Sequence, residues 1–218
     1  MVRIWLVIVG LSTCHAVAAQ PLDTLTGTRA PDLVNVGALD STLHLEVRYA
    51  TPNNFLGRRV YPYAAVFLQR PAAEALLRAH RRLLAQGYGL LLYDGYRPWR
   101  VTKLFWDSCA PAMRYYLAPP RYGSIHNRGC SIDCSLYDRR TGKPVAMPTD
   151  YDVPSHLAAY DAPGGTAEQR SHRDRLIAAL RAEGFAVQPN EWWHFNYRAW
   201  RQYPILDIPF LALLRPQP

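Results

Sequence analysis

Residues 88–108 read YGLLLYDGYRPWRVTKLFWDS. The apolar run Tyr88 to Tyr93 predicts a short buried strand, Asp94-Gly95-Tyr96-Arg97 predicts a turn, and Pro98 predicts the start of a helix reaching about Ser108. Upstream, Pro71 opens another helical stretch, with apolar positions at Ala72, Ala75, Leu76, Ala79, Leu83 and Leu84, and Gly87 closes it. Before that helix, residues 43–50 alternate Leu43, Leu45, Val47 and Tyr49 with His44, Glu46 and Arg48, the period-2 pattern of a half-buried strand. Downstream, 109–129 is rich in Pro and Gly and reads as a long loop. Residues 130–137 then predict a strand with Cys130, Ile132, Cys134 and Leu136 on one face and Ser131, Asp133 and Ser135 on the other. A third helix is expected from Thr166 to Glu183, with Thr166 and Gln169 as a capping box and Gly184 at its end. Phe185–Gln188 and Glu191–Tyr197 are the last expected strands. Helices and strands alternate without regular βαβ spacing, so the expected class is α+β: one domain, an antiparallel-rich sheet with helices packed to one side.

Composition agrees with one globular domain. The chain has 218 residues, of which 49% are hydrophobic and 19% charged. A core of this size needs no metal or disulfide scaffold merely to fold. The formal charge of +8 is scattered over pairs such as Arg58-Arg59, Arg81-Arg82 and Arg139-Arg140, with no basic run, which argues against a nucleic-acid partner. The first 19 residues stand apart: Arg3, an apolar run from Ile4 to Leu11, then Ala16-Val17-Ala18-Ala19. They predict a signal peptide cleaved near Ala19, an exported protein destined for the periplasm, and a mature domain spanning 20–218. Lipid anchoring at Cys14 is the weaker reading, because Thr13 occupies a position where a smaller residue is expected. The apolar run is too short for a membrane span, so stable membrane insertion is not expected. Removal of the leader leaves Cys109, Cys130 and Cys134. Four residues apart on a strand, Cys130 and Cys134 lie about 13 Å from each other and cannot pair. A bridge from Cys109 to either of them and three buried thiols are both open. The sequence says nothing about oligomeric state.

Of seven histidines, His44, His80 and His172 sit among charged neighbours on expected helices and strands, where solvated or capping roles suffice. His15 leaves with the leader, and His156, though near a loop of interest, is not expected to take a direct role. His126 and Asp133 fall in the run Gly123-Ser124-Ile125-His126-Asn127-Arg128-Gly129-Cys130-Ser131-Ile132-Asp133. A bend at Gly129 would let this imidazole and carboxylate converge as two ligands suited to Zn²⁺. In Glu191-Trp192-Trp193-His194, His194 would complete a set of three ligands with an open fourth position, and Glu191 could take a proton from the attacking water. The alternative is that Glu191 caps a turn and His194 packs in an aromatic core. Arg97, between a buried strand and a helix, could stabilise an oxyanion in a cleft or simply pair with Asp94.

Together, Tyr93-Asp94-Gly95-Tyr96-Arg97-Pro98, Ser124-x-His126-x-x-Gly129-x-x-x-Asp133 and Glu191-Trp192-Trp193-His194 closely resemble the zinc D-alanyl-D-alanine dipeptidases of the VanX type. Arg48-Tyr49-Ala50-Thr51 and Asn54-Phe55-x-Gly57 extend the resemblance, which covers roughly residues 31–207. It implies a zinc site in a cleft, with one Zn²⁺ per chain held by His126, Asp133 and His194. It further implies Glu191 as general base and Arg97 as the group that polarises the scissile carbonyl and stabilises the tetrahedral intermediate. Asp152 matches the aspartate that receives the ammonium of a small dipeptide substrate, and Tyr49, Tyr63 and Ser124 match pocket positions. Ile125 stands where relatives often carry a polar side chain. A D,D- or L,D-carboxypeptidase acting on peptidoglycan stems shares the same ligand types and is the alternative activity.

Overall fold

The computed structural model describes residues 27–214. The predicted signal peptide and Cys14 lie outside the described residues. Chain order runs β1 (Leu33–Asn35), α1 (Val36–Leu39), β2 (His44–Leu45), β3 (Phe67–Gln69), α2 (Arg70–Leu84), β4 (Tyr88–Asp94), α3 (Trp99–Ser108), β5 (Ser131–Asp138), α4 (Ala167–Arg181), β6 (Phe185–Gln188), β7 (Glu191–Tyr197) and α5 (Phe210–Leu213). A five-stranded sheet has the order β2-β4-β5-β7-β6, and β1 pairs with β3 in a small second sheet. Only β2–β4 is parallel; the other ladders are antiparallel. This is the expected α+β architecture. Helices α2 and α4 pack against each other, α2 also on β4 and α4 on β5 and β6, so both cover one face of the sheet.

The helix over α2 forms because Pro71 supplies a preset first turn and Ala72, Ala75, Leu76, Ala79 and Leu83 recur on one buried face. Its alanines let it sit close on the sheet. Helix α4 starts at the expected capping box, where Thr166 Oγ1 accepts from the Gln169 amide and Gln169 Oε1 accepts from the Thr166 amide.

Two expectations need correction, and the open question of the cysteines is decided. The alternating stretch 43–50 is not one strand: β2 is two residues long, and Arg48–Ala50 forms a 3₁₀ turn. The Glu46 amide makes a last bond to the Leu92 carbonyl, and on the other side of β4 a bulge between Leu92 and Asp94 interrupts the ladder with β5. Leu45, on β2, is exposed, whereas Val47 and Tyr49 beyond it are buried, so in its second half the alternation records burial without sheet pairing. Cys109, Cys130 and Cys134 are all free thiols, the last two deep in the core. His80 is neither solvated nor a cap but fully buried, its Nδ1 accepting from the Leu90 amide at 3.1 Å.

Candidate active site

Two of the expected ligands are placed by strand register. Asp133 on β5 lies directly opposite His194 on β7, so their side chains leave the same face of the sheet as a cross-strand pair. His126 comes from a 3₁₀ turn, Ile125–Arg128, whose entry is fixed by a capping box between Ser124 and Asn127. Gly129 ends the turn in the left-handed region, φ 68°, and there redirects the chain into β5. The turn is stitched to the Asp94–Pro98 segment: the Arg97 amide donates to the His126 carbonyl at 3.1 Å, and Asn127 Nδ2 donates to the Arg97 carbonyl at 2.8 Å.

The three candidate ligand atoms form a triangle. His194 Nδ1 is 3.0 Å and His126 Nε2 3.4 Å from Asp133 Oδ1, and the two ring nitrogens are 3.1 Å apart. Ligands about 2.0–2.1 Å from a tetrahedral metal are separated by about 3.3 Å, so the triangle has the size of one tetrahedral face. Proton placement points the same way. His126 Nδ1 lies 2.7 Å from the Gly95 carbonyl, and His194 Nε2 lies 2.9 Å from Asn196 Oδ1; both partners only accept, so these nitrogens carry the ring protons. Asn196 Oδ1 also accepts from Ser131 Oγ at 2.5 Å. Tyr151 OH donates to Asp133 Oδ2 at 3.1 Å, leaving Oδ1 for the cluster. In the neutral rings, two nitrogen lone pairs and one carboxylate oxygen thus face each other with no hydrogen between them, an arrangement that fits a cation. Without one, burial works against charge on His194, but Asp133 outweighs it and the imidazole is pushed up to about 9. Burial likewise opposes charge on Asp133, and the two imidazoles hold it well below the usual carboxylate range.

Glu191, at the start of β7, places Oε2 3.8 Å from His194 Nδ1, beside the triangle and outside it. Its side chain is 24% exposed, and burial raises its carboxyl above the ordinary value.

Arg97 makes the pair with Asp94 and also reaches the cleft. Its Nε and Nη2 donate to Asp94 Oδ2 at 3.0 and 2.7 Å, and it also lines the cavity that contains the triangle. Asp94 Oδ1 accepts from Tyr61 OH and from the Gly95 amide, both at 2.9 Å. The guanidinium lies over the rings of Tyr49 and Phe105. Burial disfavours its charge, and Asp94 more than compensates, keeping Arg97 above its ordinary value.

Asp152 is the only non-glycine among the described residues with positive φ, at 61°. Its neighbour Tyr151 is anchored by Asp133, by stacking on Tyr93 and by an edge contact with Trp193, which holds the strained backbone in place. Tyr49 OH donates to Asp152 Oδ2 at 2.7 Å. Burial raises the Asp152 carboxyl, so a cationic partner would be favoured there.

The cavity measures about 330 Å³ and is bounded by Tyr49, Arg97, Ser124, Ile125, Asp152 and Glu191 together with the ligand triangle. Tyr63 is the expected site residue that the structure leaves out: it is 45% exposed on the surface and does not line this cavity. Ser124 lines it, with its Oγ accepting from the His126 amide. Sequence reasoning missed Tyr151, Asn196 and Ser131. Asn196 had a signal, since a polar residue two positions after His194 falls on the same strand face; Tyr151 had none, because its contact with Asp133 spans 18 residues.

Residues 29–205 match the D-ala-D-ala dipeptidase family, Peptidase_M15. The chain is similar to the D-alanyl-D-alanine dipeptidase of Escherichia coli (strain K12), 30% identical, covering 85% of this chain and 94% of that protein. It is also similar to the D-alanyl-D-alanine dipeptidase of Streptomyces coelicolor, 34% identical over 77% of this chain and 92% of that protein. A solved structure of the LdcB LD-carboxypeptidase overlaps 79% of this chain and 71% of its own at 20% identity and a TM-score of 0.45. By its match over nearly the whole described chain and by the two curated dipeptidases, the protein is a peptidase that belongs to the Peptidase_M15 family of D-alanyl-D-alanine dipeptidases.

Proposed function

We propose that the protein hydrolyses D-alanyl-D-alanine to two molecules of D-alanine with one zinc ion per chain, held by His126, Asp133 and His194. The observation that carries this reading is the triangle of two imidazole lone pairs and one carboxylate oxygen, sized for a tetrahedral face and backed by Gly95, Asn196 and Tyr151. When bound there, zinc supplies Lewis acidity to the scissile amide and to the attacking water.

The remaining steps belong to the chain's own side chains. Asp152, held by Tyr49, pairs with the substrate ammonium and fixes the dipeptide's amino end. Glu191 Oε accepts the proton of the attacking water, and the same carboxyl then delivers a proton to the leaving amine nitrogen. Its raised proton affinity suits both halves of that transfer. The Arg97 guanidinium, locked by Asp94, has N–H donors left over for the oxygen that gains charge as the carbonyl carbon becomes tetrahedral. Because Arg97 is already oriented, little reorganisation accompanies the step. The leader-like first 19 residues support action in the periplasm.

The test is D-alanine release from D-alanyl-D-alanine by purified protein, with zinc, after chelation, and after zinc is restored. Zinc-dependent release is expected; absence of release from zinc-loaded protein overturns the reading. Amino-terminal sequencing of the protein recovered from the periplasmic fraction tests export, with a start near Gln20 expected.

A further inference from the structure

A second cavity, of about 260 Å³, adjoins the first. The two share Tyr116, Leu117, Asp152, Asn190, Glu191 and Trp193 in their walls, so they meet where Asp152 and Glu191 stand. Beyond that boundary the lining changes character: Phe55, Leu56, Cys109, Met113, Pro154 and Ala158 present carbon and sulfur. These residues come from three separate segments, the 54–57 turn, the continuous stretch from the end of α3 through the 3₁₀ turn Pro111–Tyr116, and the loop after Asp152, with 190–193 closing the wall at the shared boundary. No charged group other than Asp152 and Glu191 lines the chamber. Neither the reacting bond nor the metal ligands use this space.

We propose that this chamber receives the side chain of the substrate's first residue, so that the enzyme cleaves dipeptides whose amino-terminal residue is large and apolar. The inference rests on the dipeptidase reading above and adds the substrate class. The placement follows from Asp152. An ammonium within hydrogen-bond distance of its carboxylate puts the first Cα one bond further on, and the first Cβ within about 4–5 Å of the carboxylate. The substituent on that carbon therefore starts at the boundary between the two cavities. With alanine there, the chamber stays unfilled by substrate; with leucine or methionine, apolar side chain meets apolar wall. The other occupant of such a chamber would be a longer peptide chain extending from the substrate nitrogen. That occupant converts the ammonium to an amide and leaves the Asp152 carboxylate without its cationic partner, so the side chain is the better fit.

The experiment compares kcat/KM for D-leucyl-D-alanine, D-alanyl-D-alanine and N-acetyl-D-alanyl-D-alanine on zinc-loaded wild-type protein. It repeats the comparison with Met113→Trp, which fills the chamber from a position 37% exposed and tolerant of bulk. A Cys109→Phe variant on the same wall serves if the first fails to fold. The expected result is that D-leucyl-D-alanine is cleaved at least as efficiently as D-alanyl-D-alanine. Its advantage should fall by about tenfold or more in the filled variant, the scale set by apolar groups in a pocket. If D-alanyl-D-alanine is cleaved but D-leucyl-D-alanine is about tenfold worse, or if the ratio ignores the filling substitution, the inference is overturned while the dipeptidase reading stands. Preference for the acetylated dipeptide assigns the chamber to chain extension and overturns the inference too. Cleavage of none of the three overturns the dipeptidase reading itself, and the inference with it.

Discussion

Asp133 divides its two oxygens between two tasks: Oδ1 faces His126 and His194, while Oδ2 accepts from Tyr151 OH. Each candidate ligand is likewise oriented by one partner, so removing a ligand and removing its support should be separable. We expect His126→Ala, Asp133→Ala and His194→Ala each to lose zinc on dialysis, read by elemental analysis; full occupancy in any of them removes that residue from the ligand set. Glu191→Ala should keep one zinc per chain and lose about 10²–10⁴-fold in kcat, because only the proton acceptor has gone. Loss of metal in that variant would make Glu191 a ligand instead. Tyr151→Phe tests the support: the ring stacking survives, the bond to Oδ2 does not, and zinc affinity should weaken by about 10–100-fold in a competition titration against a chelator. Unchanged affinity would reduce Tyr151 to a packing residue.

At the scale of elements, one charge cluster ties the two covering helices together. Glu183, just past α4, accepts from Arg78 Nε and Arg82 Nε of α2, both at 2.6 Å, and its side chain is only 7% exposed. These bonds hold its carboxyl below the ordinary value of 4.5. A carboxyl lowered on folding contributes stability that is complete above its unfolded value and is lost as pH falls through the folded one. Both arginines are about half exposed, so the screened contribution is about 1 kcal/mol. Glu183→Gln should lower Tm by about 2–4 °C at pH 7, and the gap to wild type should close as pH drops below 4.5. A gap that persists in acid would mean lost packing and not lost charge. The covering helices themselves were legible in the sequence, since 3–4 spacing and the Thr166 capping box are local signals. So were β4, β5 and β7 and, through three motifs, the convergence of His126, Asp133 and His194. The stretch 43–50 was misread because alternation reports burial, and burial without a partner strand looks the same in one dimension. Tyr63 was misplaced by resemblance alone, and the second cavity was invisible because four distant segments build its wall.

Seen whole, the molecule brings its three candidate ligand atoms from a 3₁₀ turn, a central strand and the neighbouring strand, and their support from Gly95, which precedes all three, Tyr151, which lies between Asp133 and His194, and Asn196, two residues past His194. The unfolded chain offers no such triangle, so zinc binding should be coupled to global stability. A ligand that binds only the native state stabilises it by RT ln(1 + [L]/Kd), about 4 kcal/mol when free zinc exceeds Kd a thousandfold. For a chain of this length each kcal/mol moves Tm by about 2–4 °C, so chelation should lower Tm by about 8–16 °C, and restored zinc should recover it. The shift should be absent in His194→Ala, which separates binding at the triangle from adventitious binding at the other histidines. Helix content in far-UV circular dichroism should hardly change on chelation, because the core runs continuously from α2 and α4 through the sheet without using the metal. Equal Tm with and without zinc in the wild type would show that the triangle does not hold the ion. Collapse of the helical signal would show instead that the metal is a folding staple, contrary to a core that closes on its own.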